Sequence, residues 1–503
     1  MTISESIQPE HSNSACFPLS DMAERHPEAV ALSSDEQQWT FLELQQRVNF
    51  AVAEMDKAGL EVGDIVMACG RNSVELVVLI LACLRSGRIV LPVNPAFPDD
   101  KLSEIVERIG IKAIWCAEEQ RLPHYLQLGR EIVSGQCSQL SKQSPVWDDE
   151  RICNLVLTSG SSGVPKAAAH CFRNHRASAE GSAHNIPLNI GDGWLLSLPL
   201  FHIGGLATLF RCLLSGATVV LPDNRSDLAS ALYGHSVTHL SLVNTQLYRL
   251  LNTPEFHFHK TSVRTVLMGG GYVAADLVAA CQQQGVRVLT SYGMTEMSSQ
   301  ICTGEPVFTE DGGVSSGQCL PGAEVLLDDD GHVMVRGRML FKGYWQGGCP
   351  VLPLNADGWF FTGDKGRWLE ELPPMLQIVG RADFQFISGG ENIQPETIEK
   401  VILSLPDIQQ AVVVPVDNEE YGQRPLAFVD SRGDFLPELW QHTLRGKLPG
   451  FMIPDYFLAW PDPQNDAQNQ EALSKAGIKA GESLKVDRRA FSRLATRLIS
   501  GHT

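Results

Sequence analysis

Between residues 40 and 93, short apolar stretches alternate with longer helical ones, and this alternation restricts the fold more than any other feature of the chain. Thr40 and Glu43 have the spacing of a capping box, and Leu44, Val48, Ala51 and Val52 follow it at the helical period. Residues 64–69 read as a strand, 73–85 as a helix, and 89–93 as a second strand stopped by Asn94-Pro95. A βαβ rhythm of this kind builds sheets with helices packed on their faces. It continues through apolar strands expected at 194–198, 217–221, 263–268 and 286–289. The apolar run 76–84 is too short to span a bilayer and reads as a buried helix.

Near Gly380 the character changes. Pro395 suits a first helical turn, with Ile398, Val401 and Ile402 on one face. Strands at 411–416 and 425–429 and a helix over 436–448 follow, which makes a small α+β unit. At 503 residues the chain exceeds one ordinary core. The expected architecture is therefore α/β: a large multilayer sheet-and-helix domain over 1–382 and a small α+β domain over 383–503. Their join falls within 380–383. Residues 461–483 are polar with little periodicity and read as a loop or insertion, and no internal repeat is present.

The net charge of −18 repels a phosphate backbone, which argues against nucleic acid and requires a local positive site for any anionic ligand. The 12 cysteines contain no Cys-x-x-Cys pair, so reduced thiols in a cytoplasm are expected, without a zinc ribbon or redox dithiol. The first residues, MTISESIQPEHSN, have no basic-then-apolar pattern, so neither a signal peptide nor integral membrane association is expected.

Chemistry concentrates in four segments. Residues 155–166, LVLTSGSSGVPK, run an apolar strand into a loop of hydroxyls and glycines that ends in Pro-Lys. Glycines let a backbone approach phosphate, successive N–H groups form an anion nest, and a lysine adds a mobile cation. A flexible linker would not normally follow a buried strand and end this way. Gly160-x-x-Gly163-x-x-Lys166 is not a Walker A loop, since it lacks the four-residue gap and the Gly-Lys-Ser/Thr ending. Residues 291–296, SYGMTE, set a hydroxyl beside a carboxylate, as a phosphate contact next to a Mg2+ ligand requires, although a strand end before a capped helix reads the same way. Residues 358–364, GWFFTGD, look like a turn ending in an acid that could accept from two vicinal hydroxyls. Arg381 closes residues 378–381, IVGR, where a plain surface charge is the alternative.

In this order and spacing, TSGSSGVPK, YGMTE, GWFFTGD and GRADFQFISGGENIQPETIE resemble the adenylate-forming superfamily of acyl-CoA synthetases, peptide-synthetase adenylation domains and luciferases, over essentially the whole chain. Within it, residues 194–202 (WLLSLPLFH), 244–247 (NTQL) and 388–395 (SGGENIQP) look most like the o-succinylbenzoate–CoA ligases of menaquinone biosynthesis. The resemblance implies an ATP-dependent acid–CoA ligase working through an acyl-adenylate, with ATP, Mg2+ and CoA. Another aromatic or aliphatic acid, or loading of a carrier protein, is the alternative.

The resemblance also implies residue roles. Thr158, Ser159, Gly160, Ser161, Ser162, Gly163 and Lys166 would hold the β- and γ-phosphates. Thr295 would contact the α-phosphate, Glu296 would serve magnesium, and Asp364 and Arg381 would hold the ribose. Gly269, Gly270, Gly271, Tyr272 and Tyr292 would flank adenine and acyl group, with His202 near the acyl pocket. Asp383 matches the hinge of the small domain, and Phe384 stands where many members carry a second acid and is expected to pack. Lys485 fits the catalytic lysine best because a helical pattern (Phe491, Leu494, Leu498) follows it, with Lys479 and Lys475 as alternatives. Arg211 is a candidate for a second substrate carboxylate. The partners implied are a small carboxylic acid, ATP and CoA, and a homo-oligomer is compatible with this reading.

Overall fold

The computed structural model describes residues 16–118, 121–139, 145–158, 165–222, 227–271, 273–310, 313–370, 373–388, 391–418, 420–461 and 488–500. The expected capping box is present: Thr40 Oγ1 accepts from the Glu43 N–H at 3.2 Å, and Glu43 Oε2 accepts from the Thr40 N–H at 2.8 Å. It opens the helix Phe41–Lys57, which buries Phe41, Leu44, Val48, Ala51, Val52 and Met55. Helix Val74–Ser86 is capped by Ser73 and ends at Gly87, whose φ of +73° lies in the left-handed region. All of residues 76–84 are buried in it, and each such Leu or Ile contributes about 1.5–3 kcal/mol of apolar burial.

Two large sheets organise the bigger part. One has nine strands, in the spatial order Gln318–Cys319, Ser299–Gly304, Arg287–Met294, Thr265–Met268, His239–Leu242, Gly193–Leu195, Thr218–Val220, Val30–Ser33 and Gln38–Thr40. The other has eight: Cys349–Val351, Gly343–Gln346, Lys166–Cys171, Ile152–Thr158, Ile89–Val93, Ile65–Cys69, Ala113–Cys116 and Leu126–Leu128. The largest buried cluster draws on both sheets and on helices Phe41–Lys57, Val74–Ser86 and Ile203–Ser215, so these helices form a layer between the sheets. Helices Asn244–Leu251 and Ala275–Gln283 cover the outer face of the nine-stranded sheet, and Asp99–Ile109 that of the other. With both faces covered, the central parallel strands are apolar throughout, as Ile65–Cys69 and Ile89–Val93 illustrate.

A four-stranded antiparallel sheet, Ala323–Leu327, His332–Gly337, Phe360–Leu369 and Met375–Arg381, leads to the smaller part through a single 3-10 turn, Ala382–Phe384. Beyond it lies a five-stranded sheet around the long hairpin Ile408–Asn418 and Gly422–Ser431. The two faces of that sheet alternate along the chain. Val413, Ala427 and Val429 pack on helix Pro395–Leu403, while Val412, Val414, Val416 and Phe428 pack on helix Arg488–Ser500. Phe491 and Leu494 are buried there as their spacing predicts.

Some expectations needed correction. The strand expected at 194–198 is Gly193–Leu195; beyond it the backbone bonds the Asn72 side chain, whose Nδ2 donates to the Leu196 and Leu198 carbonyls. The strand expected at 286–289 continues to Met294. The turn expected at 358–364 ends early: Asp364 sits inside strand Phe360–Leu369, whose alternating buried pattern outweighs its glycines. No capped helix follows residue 294, only the 3-10 turn Thr295–Met297 and a returning strand. None of the 12 cysteines is in a disulfide, and eight of them are buried. Among the described residues no helix is long and apolar enough to cross a membrane.

Candidate active site

The parallel strands of the nine-stranded sheet end along one edge, where an open α/β sheet forms its crevice. Residues 196–200, 243–244, 269–271 and 291–296 emerge there. Strand Arg287–Met294 turns back into Ser299–Gly304 through Thr295–Met297, with Ser298 at φ +52° and Ser299 at φ +111°. Two non-glycine residues in that region cost on the order of 1–3 kcal/mol each, so the turn must be held from outside. Contacts from other elements hold it, Ser298 Oγ donating to the Met339 carbonyl at 2.9 Å among them. His170 Nε2 lies 2.8 Å from the Thr295 carbonyl oxygen, the Phe341 N–H donates to the Glu296 carbonyl at 2.8 Å, and the Tyr344 hydroxyl donates to Glu296 Oε1 at 2.7 Å. Burial pushes the His170 imidazole down to about 4, so it is neutral at pH 7 and donates from Nε2.

The Glu296 carboxylate is buried, with 7% exposure, and among the described residues no cation neutralises it. A buried carboxylate with free lone pairs and a neighbouring threonine hydroxyl is the hard-oxygen set that Mg2+ prefers, so the residues fit that ion.

Asp364 and Arg381 are direct cross-strand partners. Arg381 Nη1 donates to Asp364 Oδ1 at 3.1 Å and Nε to Asp383 Oδ1 at 2.9 Å, while the Tyr292 hydroxyl donates to Asp364 Oδ2 at 2.6 Å. Burial first, then the Asp364 charge, hold the Tyr292 phenol above its ordinary range, which keeps it a donor. Arg381 is therefore a paired side chain at the last strand before the small unit and not a plain surface charge. Gly363 adopts φ +76°, and a Cβ there would stand 2.9 Å from Arg381 Nη2.

Thr158 and Lys166 face each other at the ends of the strands that bracket residues 159–164. Ser159, Gly160, Ser161, Ser162 and Gly163 lie outside the described residues, as do Tyr272 and the lysines 475, 479 and 485. Lys166 Nζ stands 4.7 Å from the Tyr344 ring centroid. The loop of Gly269, Gly270 and Gly271 abuts Ser291: a Cβ at Gly269 would be 2.6 Å from Ser291 Oγ, and Gly270 has φ +84°.

His202 is exposed at the start of helix Ile203–Ser215, its ring edge-on to Phe201 at 4.8 Å. Asn72 fixes the approach to it by bonding the Leu196 and Leu198 carbonyls and the Leu200 N–H. Gln246 Nε2 adds a bond to the Ser197 carbonyl at 3.1 Å. On the same helix Arg211 is buried over the Trp194 ring at 5.3 Å, with Nη2 3.4 Å from Ser299 Oγ and Nε without a hydrogen-bond partner. Burial lowers its pKa to about 10, and among the described residues no carboxylate pairs with it. Phe384 packs beneath the Arg488 guanidinium at 5.2 Å, as expected.

The structure thus brings Lys166, Tyr292, Thr295, Glu296, Asp364 and Arg381 onto one connected framework, and sets His202 and the glycine loop along the same edge. Sequence reasoning missed His170, Tyr344 and Asn72. For His170 a signal existed: Lys166, Ala168 and His170 share one face of a strand by period two. Nothing local marks Tyr344 or Asn72, whose partners lie 48 and about 125 residues away.

The family model described as AMP-binding enzyme matches residues 19–345, and that described as AMP-binding enzyme C-terminal domain matches 397–465. The chain is 37% identical over 435 residues to the 2-succinylbenzoate–CoA ligase of Escherichia coli K12, covering 86% of this chain and 91% of that protein. Against the Geobacillus kaustophilus ligase of the same name, identity is 32% over 461 residues, with coverage of 88% and 93%. Among solved structures, a variant of E. coli MenE with bound OSB-AMS superposes with a TM-score of 0.82 at 32% identity, covering 97% of this chain and all of that one. The Bacillus subtilis o-succinylbenzoate CoA synthetase in complex with ATP and magnesium ion gives 0.79 at 29% identity, with coverage of 88% and 95%.

Proposed function

Since the chain belongs to the AMP-binding enzyme family, we propose that it is an acid–CoA ligase that converts o-succinylbenzoate to o-succinylbenzoyl-CoA for menaquinone biosynthesis. The chemistry runs in two steps. The acid's carboxylate oxygen attacks the α-phosphorus of ATP, and the α–β P–O bond breaks to release pyrophosphate. The thiolate of CoA then attacks the acyl carbonyl of the adenylate, and AMP leaves with the bonding pair.

The obstacle in the first step is repulsion between two anions, which fixed positive charge and donors relieve. In this reading Thr158, Lys166 and residues 159–163 receive the β- and γ-phosphates, and Thr295 receives the α-phosphate. Glu296 holds Mg2+, which when bound neutralises phosphate charge. Asp364 accepts from the ribose hydroxyls, already oriented by Tyr292 and Arg381. Gly270 and Gly271 admit the nucleotide closely, and His202 borders the acyl group. Residues 1–382 carry these groups. Residues 383–503 form a unit that turns at Asp383 and brings Lys485 to the developing charge as a cation. Replacing Lys485 with Ala should cut adenylate formation by about 10²–10³ and leave thiolation of supplied acyl-adenylate nearly intact; equal losses in both half-reactions would refute that division of labour. Twelve thiols outside any disulfide suit a reducing cytoplasm.

One observation supports the choice of acid. Arg211 is a buried guanidinium without a carboxylate among the described residues, and such a charge is costly unless a ligand supplies the anion. The acid of this reaction keeps a second carboxylate that never reacts, which supplies that charge. The test is a pyrophosphate-release screen over aromatic and aliphatic acids, with CoA varied, using wild type and Arg211→Met. Wild type should favour o-succinylbenzoate, and the variant should raise its KM by about 10- to 100-fold, as loss of a charged hydrogen bond does, with the KM of ATP unchanged. If a monocarboxylic analogue loses as much, Arg211 does not read the second carboxylate.

A further inference from the structure

Strand Gly343–Gln346 pairs antiparallel with Lys166–Cys171, and Tyr344 lies opposite Ala168. Directly opposed residues share a face, so Tyr344 stands on the side that carries Lys166 and His170. Its hydroxyl donates to Glu296 Oε1 at 2.7 Å, and its ring face receives Lys166 Nζ at 4.7 Å. Phe341, edge-on to that ring at 4.9 Å, bonds the Glu296 backbone through its N–H. One aromatic side chain therefore engages an ammonium through its face and a carboxylate through its hydroxyl. Among the described residues neither charge is in an ion pair.

An ammonium and a carboxylate free to meet would neutralise one another, and a ligand would then have to break that pair before using either. A phenol between them prevents it. The ring face attracts the cation by its quadrupole, and the hydroxyl occupies Oε1 of Glu296, while among the described residues no donor reaches Oε2.

We propose that Tyr344 is a positioning residue that keeps Lys166 and Glu296 apart and oriented, so that the ammonium is available to a phosphate and the carboxylate to a divalent cation. The inference rests on the roles given above to Lys166 and Glu296.

The experiment measures binding of α,β-methylene ATP to the full chain by calorimetry, with and without Mg2+, and records the unfolding midpoint of each variant. Tyr344→Phe keeps the ring and loses the hydroxyl: the Mg2+-dependent gain in affinity should fall about tenfold, as for one hydrogen bond to a charge, while affinity without Mg2+ stays within about twofold. Tyr344→Leu should in addition weaken Mg2+-free binding by about two- to fivefold, the weight of an exposed cation–π contact. Glu296→Gln separates the two levels of the argument. If it abolishes the Mg2+-dependent gain while Tyr344→Phe leaves that gain intact, the role of Tyr344 is overturned and that of Glu296 stands. If Glu296→Gln itself retains the gain, both fall.

Discussion

His170, His175 and His239 are buried imidazoles whose pKa values desolvation drives down, to about 4 for His170 and His239 and well below 6.5 for His175. Each is neutral in the folded chain at a pH where the unfolded chain already binds a proton. Between 6.5 and 4 the unfolded state therefore holds more protons, and stability must fall as pH falls through that window. For His170 alone the full loss is on the order of 3 kcal/mol. Urea unfolding midpoints should be lower at pH 5 than at pH 7. A midpoint that rose on acidification would contradict the neutral assignment of His170 and its donation to the Thr295 carbonyl. The same residue shows why a site can escape a reading of sequence: a histidine among alanines carries no ligand signature, and its role comes from a carbonyl 125 residues away.

At the scale of elements, the hairpin Arg287–Met294 and Ser299–Gly304 decides whether Thr295 and Glu296 point at a common ligand. Gly293 is the close approach in it: a Cβ there would lie 1.8 Å from the Ser299 carbonyl oxygen, backbone that cannot step aside. Gly293→Ala should shift the register at the turn and cost on the order of 100-fold in adenylate formation, in line with a misplacement of about 1 Å. Thiolation of supplied adenylate should suffer less. Full activity in the adenylation assay would mean that the turn tolerates a displaced strand. The capped helix Phe41–Lys57 behaves differently, since its start and its buried stripe are written in local spacing.

At the scale of the molecule, the small unit meets the large one in a part-buried bond from Gln394 Nε2 to the Arg381 carbonyl at 2.9 Å and in a separate exposed polar contact. Arg432 Nη1 donates to Asn252 Oδ1 at 3.0 Å and its guanidinium lies 4.8 Å from the Tyr248 ring. Tyr248 lies within the helix Asn244–Leu251 and Asn252 caps its end, while its first turn carries Asn244 and Gln246 at the crevice. Contacts of this kind are worth about 0–1 kcal/mol, which suits the movement proposed at Asp383. Arg432→Ala should change the ratio of the two half-reaction rates by about two- to fivefold and leave the unfolding midpoint unchanged. An unaltered ratio would remove this contact from the movement proposed at Asp383.

The layered α/β architecture and the two-part organisation were legible in the amino-acid order, because periodicity, caps and turn residues act within a few positions of one another. Nearness across the chain was not. That Asp364 lies in a strand opposite Arg381, that Asn72 bonds the backbone of Leu196, Leu198 and Leu200, and that Tyr344 contacts both Lys166 and Glu296 are consequences of strand register and packing. Such contacts arise only when distant segments are folded onto one edge, where burial makes each charge and donor require a partner.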